Sequence, residues 1–197
     1  YLSVRIFAAV TFWIGGFVLL YGAEASRKAA FPLLFLFFMT PIPTAIIDRF
    51  IFVLQVASAE VTHFFFQVTG VPVLRDRFTF HLPTLSIEVA KQCSGIRSSI
   101  ALVITSIIAG QLFLRSGWRR VALILAVFPI TVVKNGLRIV GLTLLGAYVD
   151  PRILNSEAHR NGGIPFFVVG LLMMAPVLYA LIRSEKKGLS EKKRTED

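Results

Sequence analysis

A single cysteine stands in a chain of 197 residues, within Glu88-Val-Ala-Lys-Gln-Cys93-Ser94-Gly95-Ile96-Arg97. A run free of Asp, Glu, Lys and Arg follows over 98–114, so Cys93 falls just ahead of the N-terminus of an apolar helix. Helix N-termini present unpaired N–H groups and partial positive charge. Both depress a thiol pKa and favour the thiolate, which is the nucleophilic form. The amides of Ser94 and Gly95 are suited to hold an oxyanion, and Gly95 lets a substrate backbone come close. By itself a cysteine in an apolar chain is as readily a small, inert packing residue, so the nucleophile reading needs partners.

Two further segments offer them. Arg138 lies 17 residues beyond Val121, about 26 Å along a helix. That brings it near the far end of its apolar segment, level with Cys93. An arginine between apolar neighbours belongs in a bundle interior or a wet cavity, although it can also snorkel to the interface. Asn135, three residues earlier, shares its helical face and is placed to orient Arg138 or a nearby histidine. That histidine is His159, in Glu157-Ala-His159-Arg160-Asn161-Gly162-Gly163 ahead of the last apolar run; an imidazole is the usual base for a thiol. Glu60 and His63 share a face of the mixed stretch 50–70 and are candidate substrate contacts. His63, His81, His159 and Cys93 show no ligand spacing of the H-x-x-x-H kind, so neither a metal nor any other cofactor is expected.

The elements that must position these residues belong to a membrane. The chain is 55% hydrophobic and 16% charged, against about 25% charged in soluble domains. A soluble enzyme and a disordered chain are both excluded on that ground. The net charge of +10 does not imply nucleic acid, because no aromatic-rich basic stretch is present to stack bases. It fits basic loops that orient spanning helices.

Apolar segments long enough to cross a bilayer run over 6–23, 29–47, 98–114, 121–149 (interrupted by Lys134, Asn135 and Arg138) and 161–182. Pro41 and Pro43 should end the second of them near Thr40. The stretch 50–70 reads as an amphipathic helix, interfacial or packed inside the bundle, and 78–87 alternates like a short hairpin. The expected fold is an all-α polytopic membrane protein. It has about five to six transmembrane helices, an amphipathic helix and a short extracytoplasmic hairpin. Residues 1–183 would form a single membrane-embedded domain, and 184–197 a basic, disordered cytoplasmic tail. Arg115, Arg119 and Arg120 mark the cytoplasmic side, which puts Cys93 and His159 on the outer side. With Arg27 and Lys28 also inside, 50–70 stays at the outer interface; if it spans instead, the N-terminal half inverts.

Cys-Ser-Gly at a helix start, then Asn135-Gly-Leu-Arg138-Ile, then a histidine before the last helix, resembles the exosortase/archaeosortase family. Pro41-Ile-Pro43 and the Glu88-Val-Ala…Cys93-Ser-Gly-Ile stretch resemble the core of that family as well, and the likeness covers roughly residues 31–179. The resemblance implies a multi-pass cysteine transpeptidase or protease in the cytoplasmic membrane, acting at the extracytoplasmic side without a cofactor. Cys93, Arg138 and His159 take the catalytic positions. The partners it implies are membrane-anchored substrate proteins with a C-terminal sorting signal, which is a short motif, a transmembrane helix and a basic cluster. The residues alone also admit a membrane transporter or channel for an anionic solute, lined by Arg138, Glu60 and His63.

Overall fold

The computed structural model describes residues 2–83, 85–89, 96–149 and 163–196, and of Arg97 and 188–196 only the backbone. The chain divides into two compact units, Tyr1–Phe50 and Ile51–Asp197.

In the first unit, α1 (Leu2–Lys28) is a 27-residue helix bent at Gly22, where φ is 78°. It buries none of its residues; Phe12, Leu19 and Leu20 stand open, as lipid-facing side chains do. The next helix, α2 (Ala30–Phe35), tightens into a 3-10 turn, Leu36–Met39, and stops where Thr40 turns extended. The stop is the one that Pro41 and Pro43 impose, since the residue before a proline is pushed out of the helical region. Ten helical residues span about 16 Å, half of a hydrocarbon core of about 30 Å. The span expected over 29–47 is therefore not a spanning helix. Phe7 and Phe37 meet within this unit, with ring centroids 5.3 Å apart.

Helix α3 (Thr44–Thr69) leads into the second unit. There it carries a three-stranded antiparallel sheet, β1 (Leu74–Asp76), β2 (Thr79–His81) and β3 (Ser86–Glu88), in the order β1-β2-β3. The β2–β3 pair is the expected hairpin, with Phe80 opposite Ile87. The additional strand β1 pairs Arg75 with Phe80. Period-2 alternation sends Phe80 inward until it is fully buried, against Phe66 at 5.6 Å. Phe78 meets Phe52 edge-on at 6.3 Å. The sheet thus covers one face of α3 between Phe52 and Phe66. Its two edge strands leave backbone groups that hydrocarbon cannot satisfy, so this face of α3 is level with a watery or protein environment.

Three helices form the rest: α4 (Ile96–Phe113), α5 (Gly117–Tyr148) and α6 (Gly163–Glu196). Each packs on the other two around Leu102, Leu114, Leu123, Val127, Ile130 and Met174. They run antiparallel in turn. Gly110 of α4 lies against Arg120 of α5 at one end, and Ser98 meets Lys134 at the other. Phe166 of α6 lies by Arg138, and Glu185 by Arg119. Among the described residues four helices are long and apolar enough to cross a membrane, Leu2–Lys28, Thr44–Thr69, Gly117–Tyr148 and Ile164–Lys187. Shorter apolar helices cover Ala30–Met39 and Ser98–Phe113. The protein is an all-α polytopic membrane protein, and the five to six spans expected resolve into these four long helices and two short ones.

At the C-terminal end, α6 runs on to Glu196. Ser116 starts α5 without a side-chain cap of its own. Glu185 supplies the cap from α6: its carboxylate accepts the backbone N–H of Ser116 (2.8 Å) and of Arg115 (3.1 Å), and pairs with Arg119 (3.4 Å). Unpaired amides and positive dipole at a helix start attract a carboxylate, which holds 184–187 in the bundle.

Two glycines set the closest helix approaches. A Cβ at Gly136 would lie 2.8 Å from Val61 Cγ1 and 3.3 Å from the Phe65 ring; at Gly170 it would lie 2.7 Å from Leu102 Cδ1. Gly136→Val should push α3 off α5 and destabilise the protein by about 1–3 kcal/mol, the usual cost of overpacking. The check is a lowered midpoint of thermal unfolding in detergent.

Candidate active site

Cys93, Ser94, Gly95 and His159 lie outside the described residues, and the structure bears on them only through the chain that flanks them. Arg138 is described. It sits half-buried on α5, with its guanidinium carbon 6.0 Å from the centroid of the Phe166 ring on α6. Phe166 is three residues into α6, so Arg138 is level with the start of that helix, four residues after His159 in sequence.

One turn earlier on α5, Lys134 is 1% exposed, and its Nζ donates to the Ser98 hydroxyl in the first turn of α4. Because α4 and α5 are antiparallel, the step from Lys134 to Arg138 leads toward the start of α4 and past it. Arg138 is therefore in register with two entrances at once, that of the 90–95 segment into α4 and that of the 150–162 segment into α6. Beyond it, Ile139, Val140 and Leu144 pack with Phe80 and Val89 of the sheet region. Arg138 thus stands where the apolar three-helix bundle gives way to the sheet. A guanidinium can be solvated at such a boundary, as it cannot be deep in lipid.

Asn135 is 1% exposed, and its Nδ2 donates to Ser58 Oγ on α3 at 3.0 Å. The amide nitrogen expected to orient Arg138 or His159 is committed to α3. On the same face of α3 as Ser58 lie Gln55 and Thr62, both buried. Gln55 Nε2 donates to the carbonyl of Val89, just past β3.

Glu60 and His63, the expected substrate contacts, are engaged by their surroundings. Glu60 receives a two-pronged bond from Arg75 of β1, at 2.6 and 2.9 Å. Donating to the Glu60 carboxylate raises the pKa of the Arg75 guanidinium. His63 stacks on Phe80 at 6.4 Å and lies 3.1 Å from Gln67 through Nε2. Its Nδ1 is buried without a hydrogen-bond partner among the described residues. Both residues join α3 to the sheet.

The polar contacts inside the bundle that sequence reasoning passed over join Lys134 to Ser98, Asn135 to Ser58 and Gln55 to Val89. A signal for some of them existed. Gln55, Ser58 and Thr62 recur at the three- and four-residue spacing of one helical face, and Lys134 interrupts an otherwise apolar run. Which hydroxyl each would meet depends on how the helices cross. Among the described residues no group of three or more His, Cys, Asp or Glu is placed to hold a metal ion.

Long apolar helices around a buried layer of polar and cationic side chains define a multi-pass helical membrane protein with a polar site inside its bundle. The family model described as transmembrane exosortase (Exosortase_EpsH) matches residues 1–176, and the chain belongs to that family. No curated protein and no solved structure matches the chain.

The Glu60–Arg75 pair is a partly exposed ion pair, with Glu60 62% exposed, and such pairs contribute little. Glu60→Gln should therefore destabilise the protein by no more than about 1 kcal/mol. A thermal unfolding midpoint in detergent close to that of the unsubstituted protein checks it.

Proposed function

We propose that the protein is an intramembrane cysteine transpeptidase or protease that cleaves the C-terminal sorting signals of exported proteins at the outer face of the cytoplasmic membrane. The observation that carries this reading is the register of Arg138 with the starts of α4 and α6. The segments bearing Cys93 and His159 enter the bundle at those two points. Membership of the transmembrane exosortase family supports it at the level of the enzyme class.

In this mechanism His159 takes the thiol proton and the Cys93 thiolate attacks the carbonyl carbon of the scissile peptide bond. The resulting oxyanion is met by Arg138 and by the amides of Ser94 and Gly95. Collapse of the intermediate breaks the C–N bond. The leaving amine takes the proton from His159, and an acyl thioester remains on Cys93. Water or an amine then attacks the thioester and frees the thiol. The Lys134 and Arg138 cations, at successive turns of α5, add positive potential at the entrance to α4, which favours a thiolate there.

Arg115, Arg119 and Arg120 cluster at the opposite end of the bundle. With that end cytoplasmic, the Arg138 end faces outward. The substrate's transmembrane helix would lie in the bilayer beside the bundle, and its basic cluster would stay inside. An anion channel lined by Arg138, Glu60 and His63 has less support, since Glu60 is tied to Arg75 and His63 is stacked on Phe80.

The test is co-expression with an exported protein ending in a short motif, a transmembrane helix and a basic cluster. Cys93→Ala should abolish cleavage while the enzyme still accumulates in the membrane; continued cleavage would overturn the cysteine mechanism. Arg138→Lys keeps the charge but loses the planar fork. It should slow cleavage by about 10²-fold or more, the effect of removing an oxyanion donor. An unchanged rate would reduce Arg138 to an anchor.

A further inference from the structure

Adjacent residues of α5 reach in two directions. Lys134 bonds to Ser98 on α4, and Asn135 bonds to Ser58 on α3. The second link extends further, because Gln55 lies one turn before Ser58 on the same face of α3 and donates to the carbonyl of Val89. The Val89 N–H in turn donates to the carbonyl of Phe78 at 2.8 Å, which binds Val89 to the sheet. Val89 is four residues before Cys93, and Ser98 is five residues after it. Both flanks of the cysteine segment are thereby referred to one dipeptide of α5, one turn before Arg138.

Lys134, Asn135, Ser58 and Gln55 are all 5% exposed or less, apart from the half-buried Ser98 that receives Lys134. Burying an ammonium group and amides in an apolar bundle is expensive, and methionine or leucine would fill the same volume without that expense. What the polar groups add is direction, since each bond selects one partner at one distance.

We propose that Lys134 and Gln55 are positioning residues for the segment that carries Cys93, holding its two flanks in register with the turn of α5 that bears Arg138. Lys134 fixes the side that runs into α4. Gln55, backed by Ser58 and Asn135, fixes the side that leaves the sheet. The consequence for catalysis rests on the transpeptidase reading above, whereas the anchoring of Val89 and Ser98 does not.

The single cysteine of the 197-residue chain makes a nitroxide methanethiosulfonate label on the purified protein specific for position 93. The unsubstituted protein should give an electron paramagnetic resonance spectrum with an immobilised component. Gln55→Met and Lys134→Met keep the side-chain volume and remove the donor, and each should lose that component. Glu185→Gln, at the opposite end of the bundle, should keep it. Absence of the component before substitution, its persistence in both substituted proteins, or the same loss in Glu185→Gln would overturn the proposal. Should Lys134→Met fail to fold, Gln55→Met alone decides. Loss of the component together with continued cleavage by Cys93→Ala would fail the cysteine mechanism and leave the positioning role standing.

Discussion

A charged ammonium group enclosed in an apolar helix bundle is the constraint on which the rest of this structure depends. Lys134 cannot reach bulk water from its place on α5, so a hydroxyl must meet it, and Ser98 does. That contact sets the register between α4 and α5. It also needs room, which Gly170 leaves by carrying no side chain: a Cβ there would come within 3.2 Å of Lys134 Cδ. Asn135 imposes the same demand toward α3, and Gly136 next to it allows the close approach. Lys134 and Asn135 thus stand beside two glycines, Gly170 of α6 and Gly136 of α5, that let their partners come near.

The two ends of the bundle satisfy opposite charges. At one end Glu185 places a carboxylate on the free amides at the start of α5, and Arg119 completes the pair. Arg120 caps the end of α4 through the Leu114 carbonyl at 2.9 Å. These bonds close the α4–α5 turn and leave that end tightly knit. At the other end the cations Lys134 and Arg138 stand at successive turns, facing the helix starts where the 90–95 and 150–162 segments arrive. A helix start and two cations together make a region of positive potential. The division follows from helix direction: α4 and α6 both begin at the end where α5 finishes.

The sheet packs on α3 beside the bundle. Its buried strand residue Phe80 joins α3, through Phe66 and Ala59, to Val140 of α5 in one apolar cluster. Glu60 and His63 belong to that junction. The same cluster brings Val89 to Gln55, and so links the sheet to the polar layer of the bundle.

Much of this was open to reading from the residues alone. Composition determined that the chain belongs in a membrane, because 55% hydrophobic residues cannot be hidden inside a soluble domain of this size. Pro41 and Pro43 determined where α2 stops, since ring geometry acts locally. Alternation over 78–87 determined the hairpin, and the order of Cys93, Arg138 and His159 pointed to the family. Other features were decided only by the tertiary structure. The third strand, the continuation of α6 past Ile182 under the hold of Glu185, and the partners of Lys134, Asn135 and Gln55 all depend on contacts between residues far apart in sequence. Local propensity and hydrophobic period describe one segment at a time. Which hydroxyl receives a buried ammonium, or which helix start receives a carboxylate, is set by the angles and distances at which whole helices pack.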